Sequence, residues 1–61
     1  MEKWIILIRN PSNGEVMIIT EYDYKIDNEK TALFNSEEEA LAKAETMSIC
    51  ELWPFRIVKV P

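Results

Sequence analysis

Histidine is absent from this 61-residue sequence, and cysteine and glycine each occur only once. Without histidine the chain lacks the usual general base of nucleophilic catalysis, and it has no cysteine cluster that could bind zinc. The single cysteine, Cys50, excludes an intrachain disulfide, and the single glycine, Gly14, cannot build a phosphate-binding glycine loop. The composition therefore predicts a protein that is not an enzyme and that holds no metal and no cofactor.

Long apolar segments are also missing. The longest unbroken apolar run, Trp4–Ile8, is too short for a signal-peptide core or a membrane-spanning helix. Cys50 follows a predicted helix and precedes Glu51, so we expect a buried, unreactive thiol. A lone cysteine without an export signal is typical of a reducing compartment, which predicts a cytoplasmic protein with no membrane attachment.

Positive charge is scarce, since seven lysines and arginines stand against eleven acids, a net charge of −4. The segment Thr20–Glu51 holds nine acids and three lysines, a balance of −6, and the rest of the chain holds two acids and four cations, a balance of +2. Nucleic acids and anionic membranes attract basic surfaces. We therefore expect the partner to be a protein, because this charge balance disfavours binding to nucleic acid.

The short length predicts one small domain, residues 1–61, with a thin margin of stability. A chain of this size buries only about 60% of the surface that it exposes when unfolded. Small domains often gain stability from disulfides, metals or oligomerisation. Because the composition excludes the first two, we expect a homodimer.

Lys3–Arg9 is predicted to be the central strand of a sheet. Five apolar residues lie between its two cations, and most are β-branched or aromatic. A strand that is apolar on both faces needs cover on both.

A hairpin is expected next, because Asn10–Gly14 consists of turn-forming residues and Glu15–Tyr22 is a second apolar run. The preferred register places Arg9 opposite Glu15 and continues along the strands with apolar pairs. A two-residue turn at Asn13 and Gly14 is the alternative register. Even spacing suggests that the second strand continues towards Ile26, before a polar turn at 27–30.

Ser36 and Glu39 form a capping box, which predicts the start of a helix that continues to Met47. One face of this helix is small and apolar, as expected for close packing on a sheet: Ala40, Leu41, Ala44, Met47 and Ser48. Its other faces carry an acidic surface: Glu37, Glu38, Glu39 and Glu45. Capping and solvation explain these acids without a function, and docking to a basic partner is the alternative.

Trp53–Val60 is predicted to be an edge strand, because it contains Pro54 and ends near Lys59. A right-handed crossover through the helix then leaves the first strand in the centre. The predicted fold is α+β, with ββαβ connectivity, a three-stranded antiparallel sheet in the order 2-1-3, and one helix packed on one face.

One apolar face of this sheet is expected to be an interface. With the preferred register, the helix covers Trp4, Ile6, Ile8, Val16 and Ile18, together with Phe55 and Ile57. The opposite face is then predicted to bind protein through Ile5, Leu7, Met17, Ile19, Val58 and Arg56, within a rim of both charge signs. A second copy, a foreign protein or the chain's own 23–34 loop could cover it.

Three functions are compatible with these features. The leading hypothesis is a non-enzymatic protein-interaction module that self-associates through the uncovered sheet face. The second is a small acidic inhibitor, of the kind found in phages and mobile elements, that binds a basic nucleic-acid-binding protein through the acidic helix. The third is weak binding of single-stranded nucleic acid through Trp53, Phe55, Arg56 and Lys59.

Overall fold

The computed structural model describes residues 2–61, which form two sheets and two helices. The elements in chain order are β1 (Lys3–Arg9), β2 (Val16–Ile18), β3 (Thr20–Asp23), β4 (Asn28–Thr31), α1 (Glu37–Glu45), α2 (Ser48–Leu52) and β5 (Phe55–Val60).

The main sheet has three strands in the order β2-β1-β5, and both neighbouring pairs are antiparallel. Its central strand is β1, the most apolar segment of the chain, and α1 packs against one face. The predicted α+β class, the central position of the first strand and the edge position of the last strand are confirmed.

The hydrophobic core lies between this sheet and α1. Ile6 and Ile8 of β1 face Ala40 and Ala44 of the helix, and both alanines are fully buried. Alanine has no side chain beyond Cβ, so the helix backbone can lie close to the strands. The other buried core residues come from the segments that flank these elements: Ile19, Ala32, Phe34 and Cys50.

The pairing of β1 with β2 differs by one residue from the preferred register. Leu7 lies opposite Ile18, where Met17 was predicted, and Arg9 lies opposite Val16. A one-residue shift moves every side chain of the second strand to the other face of the sheet. The predicted register was wrong, and with it the assignment of Val16 and Ile18 to the face beneath the helix.

The turn between β1 and β2 explains the observed register. The N–H of Asn10 donates to the carbonyl of Glu15 at 2.8 Å, which closes a four-residue loop and also excludes the two-residue alternative. Gly14, at φ 75°, occupies the left-handed conformation that glycine tolerates best. The side-chain oxygens of Asn10 and Asn13 accept from the N–H groups of Ser12 and Glu15, each at 2.8 Å.

Burial of Ile19 favours the same register. Ile19 donates its N–H to the carbonyl of Ile6 at 2.9 Å and lies in the core. Burying an isoleucine stabilises by roughly 1.5–3 kcal/mol, whereas an exposed ion pair such as the predicted Arg9–Glu15 contributes about 0–1 kcal/mol. Apolar burial and turn geometry therefore outweigh the charge pairing on which the prediction relied.

The predicted long second strand is interrupted at Ile19. The Ile19 N–H donates to the Ile6 carbonyl of β1, but the Ile19 carbonyl accepts from the Ala32 N–H at 3.1 Å. The chain therefore leaves the main sheet at Ile19. The next residues form a separate two-stranded arm, β3 and β4, whose turn lies at 24–27 rather than at the predicted 27–30. The chain returns at Phe34, which exchanges two backbone hydrogen bonds with Trp4.

Charged side chains on the surface connect the two strands of the arm. Lys30 lies opposite Glu21, and its ammonium approaches the Asp23 carboxylate to 3.3 Å. The Lys25 N–H donates to Asp23 at 2.9 Å, and this bond together with Lys30 lowers the pKa of that carboxyl below its usual value. Asp27 ends the turn at φ 52°, a conformation that aspartate adopts more readily than most residues.

Helix α1 begins as predicted, but the helical region divides in two. The Ser36 hydroxyl accepts from the Glu39 N–H at 3.1 Å. Thr46 ends α1, and its hydroxyl donates to the Lys43 carbonyl at 2.7 Å. The second helix, α2, was not predicted, because an extended residue, Met47, separates it from α1.

Removal of the Ser36 cap should weaken the fold measurably. We expect Ser36→Ala to lower the free energy of unfolding by about 1 kcal/mol, because the Glu39 N–H then loses its side-chain acceptor. Urea denaturation followed by circular dichroism measures the change. Ser48→Ala is the matched control, since Ser48 is exposed and caps no helix. Equal stability of the two variants would contradict a role for the cap.

Candidate functional site

The face of the main sheet opposite α1 is the candidate site. Side chains alternate along each strand, so the residues that neighbour the buried Ile6, Ile8 and Phe34 point away from the helix. We call this surface the open face, and it comprises Lys3, Ile5, Leu7, Arg9, Val16, Ile18, Leu33, Arg56, Val58 and Val60.

Cross-strand pairing assembles these residues into a continuous surface. Leu7 lies at the centre, between Ile18 of β2 and Arg56 of β5. Ile5 lies opposite Val58. Leu33 precedes Phe34, which pairs with Trp4, and therefore lies beside Ile5 on the open face.

The open face is largely apolar and uncovered. Val16, Ile18 and Leu33 expose 57%, 45% and 52% of their surface. Ile5 and Leu7 are half-buried, although they belong to the central strand. The arm does not cover them, since Tyr24 is 87% exposed and the arm makes only scattered contacts with other elements. Exposed apolar side chains that adjoin one another in this way are typical of interaction surfaces, whereas single scattered ones are common on any protein.

Four of the six predicted interface residues lie together on this face: Ile5, Leu7, Val58 and Arg56. Met17 and Ile19 do not, because the register places Met17 opposite Ile8 and buries Ile19 in the core. Val16 and Ile18 take their places. Leu33 and Val60 were also missed, and the apolar alternation around Phe34 was the signal that could have located Leu33.

The charge on the open face has one sign. Lys3, Arg9 and Arg56 belong to it, and the register places no carboxylate on it, since Glu15 pairs with Asn10 and Glu21 belongs to the arm. The Lys3 ammonium donates to the Asn35 side chain at 2.5 Å. Within residues 2–61, neither arginine has a carboxylate within 4.0 Å, since the ion pairs involve only Lys30 and Lys59. The predicted rim of both signs was wrong.

A cleft lies at the end of the open face nearest the β1–β2 turn. Its volume is about 380 Å³, and its walls include both arginines together with Leu7, Val16, Pro54 and Phe55. The N–H of Arg9 donates to the Pro54 carbonyl at 3.0 Å, which extends the pairing of β1 with β5 to this point. The cleft therefore combines two guanidinium groups with apolar walls.

The predicted acidic surface lies elsewhere. Glu37, Glu38 and Glu39 occupy the first turn of α1, Glu45 is its last residue, and all four are exposed. Within residues 2–61, none of these four carboxylates forms a salt bridge. Cys50 is buried in α2, and desolvation raises the pKa of its thiol.

Residues 2–61 lack the features of two other kinds of site. In this part of the chain, no group of three or more His, Cys, Asp or Glu side chains is close enough together to hold an ion. Neither helix has the length and apolar character that crossing a membrane requires.

The fold and site define a small α+β protein with one covered and one uncovered sheet face. No protein-family model matches the chain, and comparison with curated proteins and with solved structures gives no match.

Proposed function

We propose that this protein is a non-enzymatic interaction module that binds a protein partner through the open face. The observation that carries the proposal is the exposure of Val16, Ile18 and Leu33 beside Leu7, on a sheet face that no element of residues 2–61 covers. The lone buried thiol suits a cytosolic setting for this module.

The physical reason is the free energy of apolar hydration. Each Å² of apolar surface removed from water stabilises by about 25 cal/mol. The open face therefore offers a partner several kcal/mol of association free energy before the costs of binding are subtracted. A domain of this size has few other sources of stability, so partner binding also stabilises its fold.

The charges favour a foreign partner over a second copy. In a two-fold, face-to-face dimer, the open face of one copy would pack on the open face of the other. Lys3, Arg9 and Arg56 of one copy would then lie near those of the other, and the open face offers no carboxylate to neutralise them. Like charges at an interface oppose association.

Two matched variants test the proposal. Ile18→Glu places a carboxylate on the open face, and Leu41→Glu places one on α1 at a position of similar exposure, 41% against 45%. We expect wild-type protein and Leu41→Glu to capture the same partners from an extract of the source cells, and Ile18→Glu to lose them. Circular dichroism shows whether each variant is folded.

Sedimentation equilibrium at increasing concentration measures self-association directly. We expect the mass of a monomer throughout. A dimer that Ile18→Glu disperses would assign the open face to a second copy. Equal capture by wild-type protein and both variants would contradict binding through this face.

A further inference from the structure

We infer that Arg9 and Arg56 form a carboxylate-binding site at the turn end of the open face, and that its occupant is an acidic peptide segment of the partner protein. This inference rests on the proposed function and adds the chemistry of the partner. The segment would present an aspartate or glutamate to the two arginines and an adjacent apolar side chain to Leu7 and Val16.

The two arginines lie on adjacent antiparallel strands. Arg56 lies opposite Leu7, and Arg9 follows two residues later on the same face of β1, opposite Pro54. Diagonal neighbours of this kind are separated by roughly 7–8 Å at the backbone, within reach of long side chains. Both arginines line the cleft of about 380 Å³, a volume within the range of ligand sites.

The guanidinium groups are available to a ligand. In the described part of the chain, no salt bridge and no side-chain hydrogen bond involves Arg9 or Arg56. Eleven acids are present in the sequence, yet the fold brings none of them to this cleft. A guanidinium presents a planar fork of donors that matches a carboxylate in a bidentate hydrogen-bonded pair.

A peptide carboxylate fits this surface better than a nucleic acid. Phosphates also bind arginine, but single-stranded nucleic acids add affinity by stacking their bases on aromatic side chains. Phe55 is the one aromatic residue that lines the cleft, and strand pairing places both it and Trp4 on the opposite face of the sheet, so the open face offers no row of aromatic rings to successive bases. The net charge of −4 also repels a polyanion along its length, whereas a short acidic segment meets only the local pair of cations.

Selection from a display library of short random peptides tests the inference without knowledge of the partner. We expect wild-type protein to enrich peptides in which aspartate or glutamate adjoins an apolar residue. The double variant Arg9→Gln/Arg56→Gln should keep the apolar preference and lose the acidic one. Lys25→Gln/Lys43→Gln is the matched control, because both lysines are exposed and unpaired within residues 2–61, and each double variant changes the net charge from −4 to −6.

A thermodynamic cycle then measures the contact itself. An enriched peptide and its counterpart with glutamine in place of the acid are titrated against wild-type protein and the arginine double variant. We expect each change alone to weaken binding about tenfold, and the two together to weaken it little further, because they remove the same interaction. If the two changes together weaken binding by the product of their separate effects, the carboxylate does not contact the arginines and the inference is overturned.

The outcomes separate this inference from the proposed function. The enriched peptides could lack acids, bind wild-type protein and fail to bind Ile18→Glu. That outcome would support the proposed function and overturn the carboxylate site. Failure to enrich any peptide dependent on Ile18 would overturn the carboxylate site, whereas the proposed function is overturned by equal capture of partners by wild-type protein and Ile18→Glu. Tighter binding of a single-stranded oligonucleotide than of the acidic peptide would assign the arginines to phosphate and contradict the inference.

Discussion

Ile6→Ala is expected to lower the free energy of unfolding by about 2–5 kcal/mol, the largest effect of any single substitution proposed for this protein. Ile6 is the largest fully buried side chain, with 0% exposure. It lies opposite Ile57 on one side and accepts a hydrogen bond from the Ile19 N–H on the other. Strands on both sides limit collapse around the cavity, so the cost should lie towards the upper end of the range.

Such a loss is decisive for a domain of this size. At roughly 0.05–0.15 kcal/mol per residue, the whole fold is worth only about 3–9 kcal/mol. We therefore expect Ile6→Ala to be partly or wholly unfolded at room temperature, as urea denaturation with tryptophan fluorescence would show. Ile18→Ala removes the same atoms from a 45% exposed position and should cost less than about 1 kcal/mol. Equal losses for the two variants would contradict the assignment of faces.

Ala44→Leu should destabilise the fold by about 1–3 kcal/mol through overpacking. Ala44 is fully buried where α1 lies on the sheet. A leucine there adds three heavy atoms to a contact in which the helix is held close by small residues. The helix must then move away from β1 and β5, which loses contacts along its length.

Ala42→Leu is the control for this prediction. Ala42 is exposed on the same helix, and leucine is nearly as good a helix former as alanine, so stability should change little. Thermal unfolding of both variants, followed by circular dichroism, makes the comparison. A tolerated leucine at position 44 would mean that the helix does not lie as close to the sheet as the structure shows.

Local features of the sequence were sufficient for most of the fold. Ser36 caps α1 as predicted, the apolar run of β1 is the central strand, and the proline-containing last strand lies at the sheet edge. Each of these depends on interactions within a few residues or on the composition of one segment. The break at Met47 and the short helix α2 have no such signal, because α2 depends on the burial of Cys50 against the core.

The sequence predicted part of the candidate site, again because some of its residues depend only on local features of one strand. The residues of β1 and β5 that belong to the open face follow from alternation along single strands, and Ile5, Leu7, Val58 and Arg56 were assigned to it correctly. The contribution of β2 depends on its register with β1. A shift of one residue exchanged Met17 and Ile19 for Val16 and Ile18 and removed the acids from the rim.

The sequence alone therefore determined the class of fold, the strand at its centre and the start of its helix, because local propensity and apolar periodicity decide them. Tertiary structure decided the register of β2, the departure of the chain at Ile19 and the separate arm. The turn closed by Asn10 and Glu15 favours the observed pairing, and the burial of Ile19 in a core completed by a helix much later in the chain selects it over the alternatives. The pairing of β1 with β5 brings Arg9 and Arg56 together, and the register of β2 leaves them without an acidic partner on the open face.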